Sequence, residues 1–232
     1  MDSLFNPAVM LLKRLSVALL TLVLVGCSIS TPNQQPVLKN TDQTLVDAHQ
    51  QRLDSIFRWQ LSARLAIIQR QTNERDGLYL DWRWQRQPDT RQQLRFSHPL
   101  KGQLATLTML PEHAELTLEG ERYQGDNAEQ LLQRVLGARL PLDELSQWVL
   151  GKVTPTLNQR QFISGGRLAA ASVTRANAER WSIQWFYGDA ADPLPQQIQL
   201  QSAQLLIKIQ MNEWQLTPSL TAQPVTQDAN TL

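Results

Sequence analysis

Hydrophobic and polar positions along this chain change period several times, and each change marks an element. From Thr44 the apolar residues Leu45, Val46, Ala48, Leu53, Ile56 and Phe57 fall at roughly helical spacing, which predicts an amphipathic helix to about Arg58. Trp59, Leu61, Ala63, Leu65 and Ile67 then alternate with mostly polar neighbours, the pattern of a strand with one buried face. Leu78, Leu80, Trp82 and Trp84 repeat that alternation after the turn-like segment 72–77, and Leu94 and Phe96 mark a third strand after Pro88, Asp89 and Thr90. Strands from Leu104 to Leu110 and from Glu115 to Leu118 follow, with Pro111, Glu112 and His113 between them. This is an antiparallel meander.

A helical insert interrupts it. Asp126 precedes Glu129 by three positions, a capping-box spacing with Asp126 as the cap. Leu131, Leu132, Val135 and Leu136 form the apolar stripe, and Gly137 is a natural stop. Pro141 opens a second short helix carrying Leu142, Leu145, Trp148, Val149 and Leu150, ended by Gly151. Alternation then resumes. Trp181, Ile183, Trp185 and Tyr187 share one face, followed by Ile198 and Leu200, then by Leu205, Ile207, Ile209 and Met211.

The pattern predicts about ten or eleven strands in two blocks, with about three helices. Alternation of this kind indicates antiparallel strands with one apolar and one solvated face. A sheet of that many strands must curl, so the expected architecture is mainly β with α, an incomplete, open antiparallel β-barrel. Trp82, Trp84, Leu94, Phe96, Trp181 and Trp185 are the candidates to line its concave face. With so few helices to fill it, an apolar cavity is expected there, the alternative being an ordinarily packed core.

The first residues follow another logic. Lys13 and Arg14 precede an apolar run from Leu15 to Leu24, which closes on Val25, Gly26 and Cys27. Such a run is too short to cross ~30 Å of hydrocarbon and reads as a signal-peptide core. Small residues before the chain's one cysteine make it a bacterial lipoprotein signal, with Cys27 as the attachment site. Residues 27–43 are then a lipidated amino terminus and a polar, proline-bearing tether. Residues 44–217 form a single domain, and the tail 218–232 is expected to be disordered.

Removing residues 1–26 takes Lys13, Arg14 and Asp2 from 22 basic and 21 acidic residues, leaving twenty of each. A net charge of zero argues against nucleic acid as a partner. A single cysteine that carries lipid leaves no thiol for a disulfide, a metal or nucleophilic catalysis. Nucleophile elbows, phosphate-binding glycine loops and zinc-binding helices have no counterpart here. His49, His98 and His113 lack metal spacing to one another. The residues therefore predict no enzyme, no metal and no cofactor.

One loop stands out. Ser97, His98, Pro99, Leu100, Lys101 and Gly102 join two strands, and an apolar residue beside Pro99 is unusual in a tight turn. Leu100 either folds back into the core or protrudes as an apolar tip that meets membrane or cargo.

Taken together, the cysteine-terminated signal, the segment from Trp59 to Ala66, Trp82 and Trp84, the Pro99-Leu100 loop, the segment from Leu140 to Gly151 and that from Met211 to Trp214 resemble the LolB family. Its members are outer-membrane lipoprotein receptors, and the likeness covers nearly the whole mature chain. It implies an open barrel of eleven strands under helices with an apolar cavity. It implies partners too: the periplasmic carrier LolA, triacylated lipoprotein cargo and outer-membrane phospholipid, with the protein a monomer anchored on the periplasmic face of the outer membrane. The family's cargo-release leucine maps onto Leu100. Lys101 departs from the family, which commonly has glycine directly after proline and leucine, as does Ala63, where glycine is common. The competing reading is a tethered structural or assembly lipoprotein that binds another envelope protein; a lipid-modifying hydrolase ranks third, for want of a nucleophile motif.

Overall fold

The structure is a computed structural model that describes residues 29, 32–33, 35–86, 89–137, 140–175, 178–189 and 191–218. Among these residues eleven strands form one sheet. They are β1 (Arg58–Gln69), β2 (Arg75–Gln85), β3 (Arg91–His98), β4 (Gly102–Leu110), β5 (His113–Leu118), β6 (Glu121–Gly125), β7 (Asn158–Ile163), β8 (Arg167–Thr174), β9 (Arg180–Phe186), β10 (Gln197–Gln201) and β11 (Leu205–Thr217). The order across the sheet is β6-β5-β4-β3-β2-β1-β11-β10-β9-β8-β7, and all neighbours are antiparallel. The first and last strands pair with each other, so the two sequence blocks meet at β1 and β11. β6 and β7 are left as edges, and the barrel stays open.

Three helices accompany the sheet among the described residues. α1 (Gln43–Asp54) is capped by Asp42, whose side chain accepts from the Thr44 amide. It ends earlier than its periodicity predicts. The Ser55 hydroxyl donates to the Arg52 carbonyl at 2.7 Å, and by Phe57 the backbone is already bonded to Thr217 across the sheet. α2 (Ala128–Leu136) is capped by Asn127, not by Asp126; the Asn127 side chain accepts from the Gln130 amide at 3.0 Å. Gly137, at φ 65, closes it as expected. α3 (Leu142–Trp148) begins after Pro141 and buries Leu142, Leu145 and Trp148.

A short 3-10 turn at Ser164–Gly166 seats α1. Gly166 has φ +71 and lies against the backbone of Leu45 and Val46, closer than any side chain permits. The Gln50 side chain adds a second attachment: it donates to the Gly151 carbonyl and accepts from the Val153 amide. Lys152, almost fully buried, pairs with Asp54 at 2.8 Å.

Below this turn Arg167 is 1% exposed. Its guanidinium donates to the carbonyls of Ser164, Asp189 and Asp192, to the Ser164 hydroxyl and to the Gln35 side chain, and it stacks on the Tyr187 ring at 4.7 Å. A cation without water is tolerable only when its donors are satisfied, and here each nitrogen has an acceptor. Gln35, together with Leu38, whose amide donates to the Phe162 carbonyl, ties part of the 27–43 segment onto the domain. Burial in turn pushes the Tyr187 hydroxyl pKa upward.

β6, β7 and β8 are the strands that alternation does not reveal. β6 and β7 are mostly exposed edges with polar composition. β8 is alanine-rich: it is buried on both faces over Arg167–Ala169, and beyond that its inward side chains are small, so its alternation leaves little apolar contrast. Elsewhere every second side chain turns inward, and those side chains form one continuous hydrophobic cluster with the helices.

Candidate functional site

The concave face of the sheet is the candidate site, and cross-strand register assembles it. Trp82 faces Leu94, Leu80 faces Phe96 and Trp84 faces Gln92 across β2 and β3. In the second block Val173 faces Trp181, and Trp185 faces Ile198. The six residues named from the sequence, Trp82, Trp84, Leu94, Phe96, Trp181 and Trp185, all point to this face, and none is more than 5% exposed.

Two tryptophans outside that set complete an aromatic cluster. Trp59 lies edge-on to Trp82 at 5.2 Å and to Trp214 at 5.6 Å, and stacks on Trp84 at 6.1 Å. Edge-to-face and stacked pairs of this kind contribute about 1 kcal/mol each beyond area burial. The indole N–H groups of Trp59, Trp181 and Trp214 are buried without a hydrogen-bond partner among the described residues, so the face is apolar even where its side chains carry donors.

α3 rests on this face through two polar contacts. The Trp185 indole donates to the Trp148 carbonyl at 2.6 Å. Gln92, 3% exposed, accepts from the Trp82 indole at 3.3 Å and donates to Asp143 at 3.2 Å. A polar residue in an apolar row signals nothing by itself in the sequence, and Gln92 was not foreseen. Clefts open at the margins of the packed interior. One of about 440 Å³ separates β3–β5 from the starts of α2 and α3, with Gln92, Met109 and Leu142 in its walls. Another of about 420 Å³ runs between the 192–196 segment and β11, lined by Leu194, Met211, Trp214 and Leu216 among others.

The β3–β4 loop resolves the alternative left by the sequence. Leu100 is 91% exposed and does not return to the core. Its amide donates to the His98 ring at 3.1 Å, and Gly102 takes φ +70 to complete the turn. A leucine presented this way buries nothing in the folded protein. Of the other sequence candidates, Cys27 lies outside the described residues, as do the signal 1–26 and all of the tail beyond Pro218. His49 is buried on α1, while His113 is exposed at the start of β5.

A family model described as outer membrane lipoprotein LolB matches residues 57–214. The chain belongs to the LolB family. Curated relatives include the outer-membrane lipoprotein LolB of Pectobacterium atrosepticum, 27% identical over 84% of this chain and 92% of the relative. LolB of Shewanella baltica is 28% identical over 84% of this chain and 85% of its own. Among solved structures, a putative outer membrane lipoprotein-sorting protein domain from Vibrio parahaemolyticus superposes with TM-score 0.51 at 6% identity, covering 77% of this chain and 93% of that one. At that identity the likeness concerns the fold alone.

Proposed function

We propose that the protein is an outer-membrane-anchored receptor that accepts triacylated lipoproteins from the soluble periplasmic carrier LolA and delivers them to the outer membrane. Cys27, as the lipid-bearing residue, holds it at the periplasmic face. The acyl chains of the cargo pass onto the tryptophan-rich concave face, reaching it from the clefts beside α3 and displacing Leu142, Leu145 and Trp148 from that face. Leu100 then dips into the bilayer and opens the way out.

The observation that carries this reading is Leu100, 91% exposed on a hairpin tip whose neighbours give it no apolar shelter. The energetics need no covalent step and no nucleotide. Each buried methylene is worth ~0.8 kcal/mol, so acyl chains move only between apolar environments, each binding them better than the last. Aliphatic and indole surfaces supply that environment without presenting a charge. One observation favours the scaffold alternative, namely that the six candidate lining residues are packed and closed to solvent. An apolar fluorescent probe separates the two, since a receptor takes it up and a packed scaffold does not.

The test is transfer of a radiolabelled triacylated lipoprotein from its soluble carrier to this protein, then to liposomes. Transfer at both steps supports the receptor. Failure at the first step, with both proteins folded and the carrier active, overturns it.

A further inference from the structure

The outer face of β1, β2 and β3 carries charge that neither the concave face nor the Leu100 tip uses. Register places Arg58 opposite Gln85, Arg83 opposite Gln60, and Gln85 opposite Arg91. Arg83 on the middle strand therefore sits diagonal to both Arg58 and Arg91, ~7–8 Å away at the backbone, and those two flank Gln85 two strands apart, ~10 Å. All three are exposed, and among the described residues no carboxylate pairs with any of them. They line a groove of about 370 Å³ whose other walls include Gln60, Gln93 and Thr108, and none of its lining residues is acidic. Asp81 and Glu213 belong to the next row along the strands, where they line an adjoining groove with Arg83 and Arg95, and Asp81 accepts from the Ser62 hydroxyl at 2.9 Å. Like charges gathered on one sheet face repel one another, so the cluster costs stability unless an anion compensates it.

We propose that Arg58, Arg83 and Arg91 form a docking surface for the anionic headgroups of a phospholipid bilayer, which hold the outer face of the sheet against the membrane while Leu100 inserts. This rests on the reading of the protein as a lipid-anchored receptor. Two observations favour a bilayer over an acidic protein. First, the outward side chains between and beside the three arginines are Gln60, Gln85 and Gln93, with Asp81 and Tyr79 standing farther along β2, so no apolar anchor lies at the centre of the cluster, whereas protein interfaces are built around buried aromatic and aliphatic residues. Attraction to headgroups needs charge alone. Second, Gln35 is held by Arg167, and the eight residues from Cys27 to Gln35 span at most ~28 Å when extended. A lipid at Cys27 therefore keeps the domain beside a bilayer at all times. β3 runs from Arg91 to His98, so the cluster and the Leu100 tip belong to one strand and bear on one membrane when the sheet lies along it.

The experiment uses the mature chain with Cys27→Ala and measures partition onto vesicles of phosphatidylcholine, with and without phosphatidylglycerol, at low and high salt. Each basic residue near an anionic surface contributes roughly fivefold in partition. The triple variant Arg58→Gln, Arg83→Gln, Arg91→Gln is expected to lose roughly a hundredfold on phosphatidylglycerol vesicles and little on phosphatidylcholine. Leu100→Glu weakens binding to both. Circular dichroism and thermal melting confirm that the variants, altered only at exposed positions, remain folded. Equal partition onto the two lipids, or a triple variant that binds phosphatidylglycerol like the parent, overturns the proposal. So does a triple variant that loses the soluble carrier and keeps the vesicles, because an acidic protein is then the occupant. Failure of cargo transfer alongside intact phosphatidylglycerol-dependent binding counts against the receptor reading and leaves this one standing.

Discussion

The Trp185 indole donates its N–H to the backbone carbonyl of Trp148 at 2.6 Å, which fastens the last turn of α3 to β9 in the middle of the apolar interior. Trp148 has its own attachment, its indole donating to the Thr154 hydroxyl at 2.9 Å. At the other end of the helix, Asp143 is reached by Gln92. A seven-residue helix has little stability of its own, so these contacts and the burial of Leu142, Leu145 and Trp148 keep it helical and in place.

Trp185→Phe tests that attachment. It keeps an aromatic ring on the face and removes the donor. The Trp148 carbonyl still accepts from the Gly151 amide at 2.9 Å, so the expected loss is about 1–2 kcal/mol, the cost of a buried hydrogen bond plus some lost contact. Chemical denaturation measures it. The variant should also take up an apolar probe more readily than the parent, because α3 is less tightly held. Unchanged stability would mean that packing alone seats the helix.

Leu100→Glu addresses the tip. The side chain is 91% exposed and touches no core, so stability should change by less than about 0.5 kcal/mol. Insertion of cargo into liposomes should fall sharply, while cargo acceptance from the carrier is retained. A variant that unfolds, or one that inserts cargo at the parental rate, removes Leu100 from the mechanism.

Residue pattern made some of this legible and hid the rest for physical reasons. Strands that bury one face announce themselves, as in Trp59 to Ile67 and Trp181 to Trp185, because period-two burial writes period-two sequence. β8 does not, because the residues its inner face buries, Ala169 and Ala171, are small, while Leu168 is buried on the other face. β6 does not, because an edge strand meets water and needs no apolar row. The six candidate lining residues are all buried on the inward side of the sheet. Trp59 and Trp214 pack among them, yet their assembly depends on the pairing of β1 with β11, which joins residues 136 to 159 positions apart. Gln92 escaped notice because only its partners, Trp82 and Asp143, explain a buried amide. Leu100 was conspicuous as an apolar residue in a turn, but its direction is set by the turn geometry through His98 and Gly102, not by its own identity.

Gly166→Ala should unseat α1. A Cβ at this position lands on the backbone of Leu45 and Val46, and φ +71 is itself unfavourable for alanine. The helix cannot yield without losing the Gln50 and Asp54 contacts to residues 151–153, and the 3-10 turn is held by Arg167, which donates to Ser164. The expected cost is about 3 kcal/mol, combining backbone strain and displaced packing. The melting temperature reports it, and amide exchange should show faster opening in α1 than in β1. Confinement of the damage to α1 would show that the sheet stands without it.

Acid should weaken the fold through His49. The ring is fully buried; its Nδ1 lies 3.1 Å from the Arg52 guanidinium, while its Nε2 has no partner among the described residues. Burial first, then the positive charges of Arg52 and Arg167, lower its pKa from 6.5 to about 4. The folded state therefore prefers the neutral ring, and the unfolded chain takes up a proton that the folded one refuses. This contribution is complete above pH 6.5, declines as pH falls toward 4 and is spent below that, for a total of about 3 kcal/mol. Denaturation measured across that window should show stability falling with acidity. In His49→Gln, which can still accept from Arg52, the profile should be flatter over the same range. An equally steep profile in the variant would remove His49 as the source of the acid sensitivity.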